Sequence, residues 1–385
     1  MSSALLVFVS VAAHAQPAAV SPAVTAPPVS TVAGMPPVPD PSNLYSEQTA
    51  GKVLPSLASD LPRVYVPHIQ SNDVYVIDPA TLKIIDKFKV GLNPHHIVPS
   101  WDLKTLWVAN TAENTKKGSV MPIDPKTGKV GKAIPVEDPY NLYFSPDGKF
   151  AIVVAEAYKR LDFRDPQTMA LQFSMELPQC KGINHADFSI DGRYAIFTCE
   201  FDKSLVKIDM VGRKPLAYLK LSRGGMPQDI RISPDGRRFF VADMMADGVF
   251  VIDGESFKEI DFIKTGKGTH GLYPSRDGKK LYVANRGSNK IHGPAKGPGG
   301  VSVVDFATNK VEANWLIPGG GSPDMGNITA DGKQLWLSGR YDNMVYVFDT
   351  TTGEVKSIPV GKEPHGLTVW PQPGRYSLGH TGNMR

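Results

Sequence analysis

The chain has 385 residues, 41% apolar and 21% charged, with 36 Gly and 33 Pro: enough for a large core, but too punctuated by turn formers for long helices, so an all-β protein is expected. The formal net charge is +4, and Lys, Arg, Asp and Glu are interleaved rather than blocked, which argues against nucleic acid as a partner. With only two cysteines, Cys180 and Cys199, the chain is neither a disulfide scaffold nor a thiolate metal centre; a disulfide between the two and two free thiols are both compatible with their spacing.

The N-terminus reads "MSSALLVFVSVAAHAQ". An apolar run from Ala4 to Ala13 leads into Ala13-His14-Ala15, the small-x-small pattern that signal peptidase accepts. Residues 1–15 are therefore expected to be a signal peptide, although no positive charge precedes the run, and the protein is expected to be exported, periplasmic or extracellular. The run is too short to span a bilayer, and no other segment is a transmembrane candidate. From Gln16 to Pro62 the composition is rich in Pro, Ala, Ser and Val, which buries too little surface to repay ordering; it reads as a linker or disordered arm.

From Arg63 the chain repeats itself every 40 to 50 residues. "PHHIVPSWDLKTLWVAN" returns as "PYNLYFSPDGKFAIVVAEA", "INHADFSIDGRYAIFTCEF", "PQDIRISPDGRRFFVADMM", "THGLYPSRDGKKLYVAN" and "PDMGNITADGKQLWLSG". Each copy continues into an alternating run such as "VFVIDGESFKEIDFIKTG" or "VYVFDTTTGEVKSIPVG", the mark of half-buried strands, and each run stops at a turn signal such as "SPDG" or "DTTTG". One unit is a four-stranded antiparallel meander, and copies packed radially around an axis make a β-propeller. Six units start near Asn93, Asp138, Lys181, Gly224, Lys267 and Gly320, whereas Arg63 to Gly91 lacks a first strand. The C-terminal "PHGLTVW" supplies it, so a seven-bladed propeller over 63–374 with one composite blade is expected, followed by a tail at 375–385, containing His380 and Met384, that either frays or folds back over the channel mouth as a ligand donor or plug.

In a propeller the first strand of every blade lines the central channel. Alignment on the S-x-D-G turn brings His95, Tyr140, Asn184, Gln228, His270, Asp324 and His365 to one mouth, with His96, Asn141, His185, Asp229, Gly271, Met325 and Gly366 next to them. Imidazoles and a carboxylate from successive blades, His270, Asp324, His365 and His95, form a candidate site for a divalent transition metal (Zn, Cu, Fe or Mn). The other reading is that these histidines only join neighbouring blades, and the absence of any cofactor is equally compatible. Tyr140, Asn184, Gln228, His96 and Asp229 are candidate ligand contacts at the mouth. His68, Asn110, Glu156, Glu200, Asp243 and Asn285 close the second strands, and the insertions at 110–119 and 285–300, with Lys290, His292 and Lys296, are placed to overlie the funnel or a partner surface. No G-x-S-x-G, P-loop, H-E-x-x-H or C-x-x-C-H occurs.

The repeat P-H-G-x-x-x-S-x-D-G-K-x-L-Y-V-A-N, clearest in "KLYVANRGSN", resembles the YVTN-type propeller repeat of exported bacterial proteins, related to lactonase-like and haem-binding nitrite-reductase-like propellers. The resemblance covers Arg63 to Trp370 and implies a monomeric envelope protein that binds a small molecule, a metal or another envelope protein at its channel mouth. It also leaves open a metal-dependent lyase or lactone hydrolase, with His185 or Glu200 as general base, and tetrapyrrole or redox-partner binding, haem being the lesser alternative.

Overall fold

In the S-x-D-G segments the serine hydroxyl donates to the aspartate two residues on, and that aspartate accepts a backbone N–H further along. At Ser145 the two bonds are 2.6 Å to Asp147 Oδ1 and 3.2 Å from Lys149 N, while Gly148 takes φ of 71°, a region closed to most side chains. The same device recurs at Ser189, Ser233 and Ser275. Each turn therefore reverses the chain at the same point of every repeat, and the flanking alternating runs pair as antiparallel strands.

The computed structural model describes residues 1, 4–5, 27–113 and 115–385; the signal peptide expected at 1–15 lies almost wholly outside them. It contains seven sheets of four antiparallel strands. Six are built from consecutive strands, whose inner members are Pro94–Pro99, Pro139–Phe144, Ile183–Phe188, Pro227–Ile232, Thr269–Pro274 and Pro323–Ile328. The seventh is composite: Thr368–Trp370 pairs with Arg63–His68, setting Val64 opposite Val369. The seven-bladed, all-β propeller expected from the repeats is thus the fold, and among the described residues no helix is long and apolar enough to cross a membrane.

Inner strands are buried throughout, and the apolar faces of adjacent blades pack together, as where Tyr143, Phe188 and Phe197 meet. The segment read as a linker or disordered arm is ordered against the propeller from residue 27 onward. Val32 N donates to Asp191 O (2.9 Å), Leu44 N to Pro234 O (2.7 Å) and Trp370 Nε1 to Asp60 Oδ2 (2.8 Å). Its composition, averaged over the segment, hides four apolar anchors, Met35, Leu44, Tyr45 and Leu57, all buried on the face that carries the S-x-D-G turns. Cys180 and Cys199 are joined by a disulfide with Cα atoms 4.9 Å apart.

Candidate functional site

Six of the seven inner strands carry an irregularity near their N-terminal ends. Pairing with the second strand shifts between Pro94 and His96, Pro139 and Asn141, Ile183 and Ala186, Pro227 and Ile230, Thr269 and Leu272, and Pro323 and Gly326. A bulge re-aims side chains, and here two successive positions per blade reach the channel, giving two stacked layers.

The upper layer forms the mouth. Asp324 accepts from Arg286 Nε (2.8 Å) and faces Nδ1 of both His270 (2.8 Å) and His365 (2.7 Å). Burial would raise Asp324, but Arg286, His270 and His365 outweigh it and hold the carboxyl well below its ordinary range. Its partners thus already occupy both oxygens. His95, the fourth member of the expected metal set, turns to Thr111 Oγ1 (2.7 Å) and Glu113 (3.2 Å) instead, although its ring lies 5.6 Å from that of His365. The structure therefore brings His270, Asp324 and His365 together around an arginine, with His95 at their edge.

On the other side of the mouth, Asn184 Nδ2 and Gln228 Nε2 donate to the two oxygens of Glu200 at 2.6 and 2.9 Å. Both side chains were expected to face a ligand; they fix a carboxyl. Burial raises Glu200, against the hydrogen bond from Gln228, and burial with the neighbouring Glu200 raises Glu156. Tyr140 stands beside His95 and His96 at ring separations of 5.1 and 5.5 Å.

Two buried arginines, Arg286 and Arg340, complete the mouth and were missed from the sequence. Arg340 binds Glu363 through Nε (3.1 Å) and Nη2 (3.0 Å). The signal was present: both directly follow the end of a second strand, in "VANR" and "LSGR". The functional position is one residue past Asn285 and Gly339, a ring of Ile69, Thr111, Glu156, Glu200, Met244, Arg286 and Arg340. Of the strand-end residues proposed earlier, His68 pairs with Asp73 (3.1 Å) across a hairpin of its own blade, and Asp243 caps its own loop through Met245 N and Ala246 N.

The 285–300 insertion spans three blades across this face. Asn289 donates to Met244 O (2.6 Å), and the Tyr341 hydroxyl donates toward Lys290 O (2.6 Å) and Ile291 O (2.8 Å). Lys290, His292 and Lys296 are exposed on it. Glu113, from the shorter insertion, is held below its usual range chiefly by its bond to His95, with smaller help from Arg340 and His292.

The lower layer is almost sealed. His96, His185, Asn141 and Asp229 are fully buried there together with His380 of the C-terminal tail. The tail folds as a hairpin: Ser377 pairs with Met384, Leu378 N donates to Asn383 O (2.7 Å), and Asn383 N to Gly379 O (3.0 Å). It closes the channel from the turn side, anchored by Arg385 to Asp187 (2.8 Å) and by His380 N to Leu142 O (2.8 Å). His185, proposed as a base alongside Glu200, thus lies in a different layer from that carboxyl, and His96 and Asp229 lie below the mouth.

A family model described as a YNCE-like beta-propeller matches residues 20–373. Among curated proteins, the chain is 28% identical to the antigen Lp49 of Leptospira interrogans over 189 residues, which is 43% of this chain and only 38% of that protein. It is 25% identical to the uncharacterized protein YncE of Salmonella typhi over 290 residues, 69% of this chain and 74% of that one. Among solved structures it resembles the periplasmic gluconolactonase PpgL of Pseudomonas aeruginosa (17% identity, TM-score 0.65, 81% of this chain and 99% of that). It also resembles the dihydro-heme d1 dehydrogenase NirN in complex with DHE (18% identity, TM-score 0.59, 80% and 75%). At these identities the structural likenesses speak for the fold alone.

Proposed function

The chain belongs to the YncE-like β-propeller family, and from that premise we propose that it is an exported binding propeller of the cell envelope that captures a small polar molecule at its channel mouth. One observation carries the reading. The channel is plugged from the turn side by the tail hairpin, so its polar lining is approached from the mouth, where groups of opposite character, buried but for the half-buried Glu156, sit in facing blades. Arg286 and Arg340 come from the two blades whose inner strands are Thr269–Pro274 and Pro323–Ile328; Glu156 and Glu200 come from those of Pro139–Phe144 and Ile183–Phe188. A ligand with a carboxylate or carbonyl oxygen toward the guanidinium groups and a hydroxyl toward the carboxyl pair matches this polarity. Sugar acids and their lactones are of that class.

The test is a titration of gluconate and glucono-lactone into purified protein by calorimetry, repeated with Arg340→Ala. Micromolar to millimolar binding that Arg340→Ala weakens at least about tenfold supports the reading, since a charged hydrogen bond is worth roughly 1.5–3 kcal/mol. No heat from either probe, and no small molecule released from freshly exported protein on denaturation, sinks it.

A second reading rests on the paired carboxyls. Glu156 and Glu200 are both raised by burial, which makes either carboxylate a stronger base than a solvated one, and this suits a funnel that opens a lactone rather than only holding it. Hydrolysis of glucono-lactone above the uncatalysed rate, abolished in Glu200→Gln, distinguishes catalysis from capture. A visible absorption spectrum of the exported protein addresses the tetrapyrrole alternative.

A further inference from the structure

Three imidazoles converge below the mouth. His96 comes from the Pro94–Pro99 strand, His185 from Ile183–Phe188 and His380 from the tip of the tail hairpin. One ring nitrogen from each lies within 4.8 Å of the other two, and all three side chains are fully buried. The ring centroids are 5.5 Å apart for His96 and His185, 5.3 Å for His96 and His380, and 4.5 Å for His185 and His380.

Neither nitrogen of His96 has a hydrogen-bond partner, nor does His185 Nε2. A buried polar atom left unpaired costs on the order of 1–3 kcal/mol, and native proteins rarely tolerate several in one place without a reason. The remaining contacts orient the rings. Asn141 Oδ1 accepts from Leu142 N (2.8 Å), which turns its amide nitrogen toward Nδ1 of His185 (3.2 Å) and of His380 (2.9 Å). Asp229 Oδ1 lies 3.2 Å from His380 Nε2 and is itself held by Arg231 (2.9 Å) and, through Oδ2, by Leu272 N (2.9 Å). With its Nε2 proton directed to Asp229, as a carboxylate behind an imidazole fixes the tautomer of a metal-binding histidine, His380 offers its Nδ1 lone pair, where an ion would take the place of the Asn141 N–H.

The backbone at the tip gives a separate reason. His380 has φ of 52°, between Gly379 at 91° and Gly382 at 102°. A hairpin tip in this region normally carries Gly, Asn or Asp; His380 shares it with sixteen other non-glycine residues among those described, and it is the packing around the tip that decides where the ring goes. A Cβ on Gly379 would stand 2.4 Å from Leu142 O, and one on Gly382 would stand 2.2 Å from Asn327 Nδ2. The hairpin is packed so that its one large side chain at the tip goes into the channel.

We propose that His96, His185 and His380 bind a transition-metal ion of the zinc or copper type, with the C-terminal hairpin delivering the third ligand. Imidazoles are the donors such ions prefer, and all three rings are shielded from water. Metal–nitrogen bonds of about 2.0–2.1 Å place tetrahedral ligand atoms about 3.3 Å apart, so from separations within 4.8 Å the ligand atoms close by at most about 1.5 Å on binding. This site is a layer below the ligand funnel and uses none of its residues, so it stands or falls independently of the function proposed above.

The test uses the full protein, freed of metal with a chelator and titrated with Zn²⁺ by calorimetry and with Co²⁺ by absorption spectroscopy. We expect one equivalent of each, nitrogen-ligand d–d bands for Co²⁺, and a higher melting temperature on adding Zn²⁺. His380→Ala should weaken binding by roughly 100-fold or more and Asp229→Asn by about tenfold, whereas His292→Ala, on the exposed loop, should change nothing. His380→Cys keeps a metal donor at the tip and should add a thiolate-to-cobalt charge-transfer band; the two native cysteines are tied in the disulfide. No stoichiometric binding by the wild type overturns the proposal, as does full binding by a folded His380→Ala or a His380→Cys protein that binds Co²⁺ without the thiolate band.

Discussion

Asp324 is buried against one permanent cation, Arg286, and two imidazoles. Taking away the cation strands a carboxylate where water cannot reach it, a change that typically costs about 3–5 kcal/mol. Arg286→Leu should therefore lower the urea midpoint far more than Arg286→Leu combined with Asp324→Asn, and equal losses in the two proteins would show that the pair does not interact as described. The histidines set the response to acid. Burial lowers His68 to about 4, against the pull of Asp73, and lowers His270 to about 4, helped by Arg286 and Arg340 and opposed by Asp324; His185 and His365 face His270, and Lys87 faces His68. Their unfolded value is 6.5, so between pH 6.5 and about 4 the unfolded chain binds protons that the folded one refuses. Stability is lost as pH falls through that window, by up to about 1.4 kcal/mol per pH unit for each ring. Glu156 and Glu200 act in the opposite sense, because carboxyls raised by folding cost stability as pH climbs above 4.5. Burial raises Asp60, Asp138 and Asp243 as well, but the lowered imidazoles, His68, His96, His185, His270, His365 and His380, still outnumber the raised carboxyls, so the melting temperature should drop from pH 6.5 to 5; a flat or rising profile would contradict the neutral buried rings.

At the level of strands and turns, the disulfide from Cys180 to Cys199 ties the approach to one inner strand to the end of the next, across a separation of 19 residues. Closing a loop of that size in the unfolded chain is worth about 2–4 kcal/mol. Cys180→Ala/Cys199→Ala should lose that amount in denaturant titrations and should no longer respond to reductant; an unchanged midpoint would mean the hairpin is held by its ladder alone. Strands and their turns were readable in the sequence because each rests on local chemistry, the alternation of "KVEANWL" or the Ser-x-Asp-Gly turns. The ring of channel residues could be read for the same reason, since the turn sets the count along the inner strand. What could not be read was the partnership of those residues. The expected metal set joined His95 to Asp324 by blade order, yet Arg286 claims the carboxylate, and that arginine sits one position beyond the strand end on which the alignment was made. Nor does any local pattern tell that "SLGHTGNMR" is a hairpin aimed at His96 and His185. Its partners lie some 200 to 280 residues away in sequence, and only the closed ring brings them near.

The whole molecule is closed twice, once around its circumference by Thr368–Trp370 and once along its axis by the tail hairpin, and the two closures should fail differently. A chain ending after Leu367 loses the inner strand of the composite blade and leaves Arg63–His68 with an unpaired edge facing a gap in the ring; exposed edges of this kind pair with other chains. That protein should aggregate or unfold without a cooperative transition. A chain ending after Pro373 keeps the closing strand and loses only the plug. Asp187 then gives up Arg385 and Asn383, but the same deletion lets water into the lower channel to solvate it, so the cost should stay near 1–3 kcal/mol, the range for breaking buried hydrogen bonds. Size-exclusion chromatography and urea unfolding of the two truncations side by side decide the matter: a cooperative monomer for the longer chain and loss of cooperativity for the shorter are expected. If the longer chain also fails to fold, the hairpin is part of the core that holds the blades together rather than a plug inserted into a ring already closed.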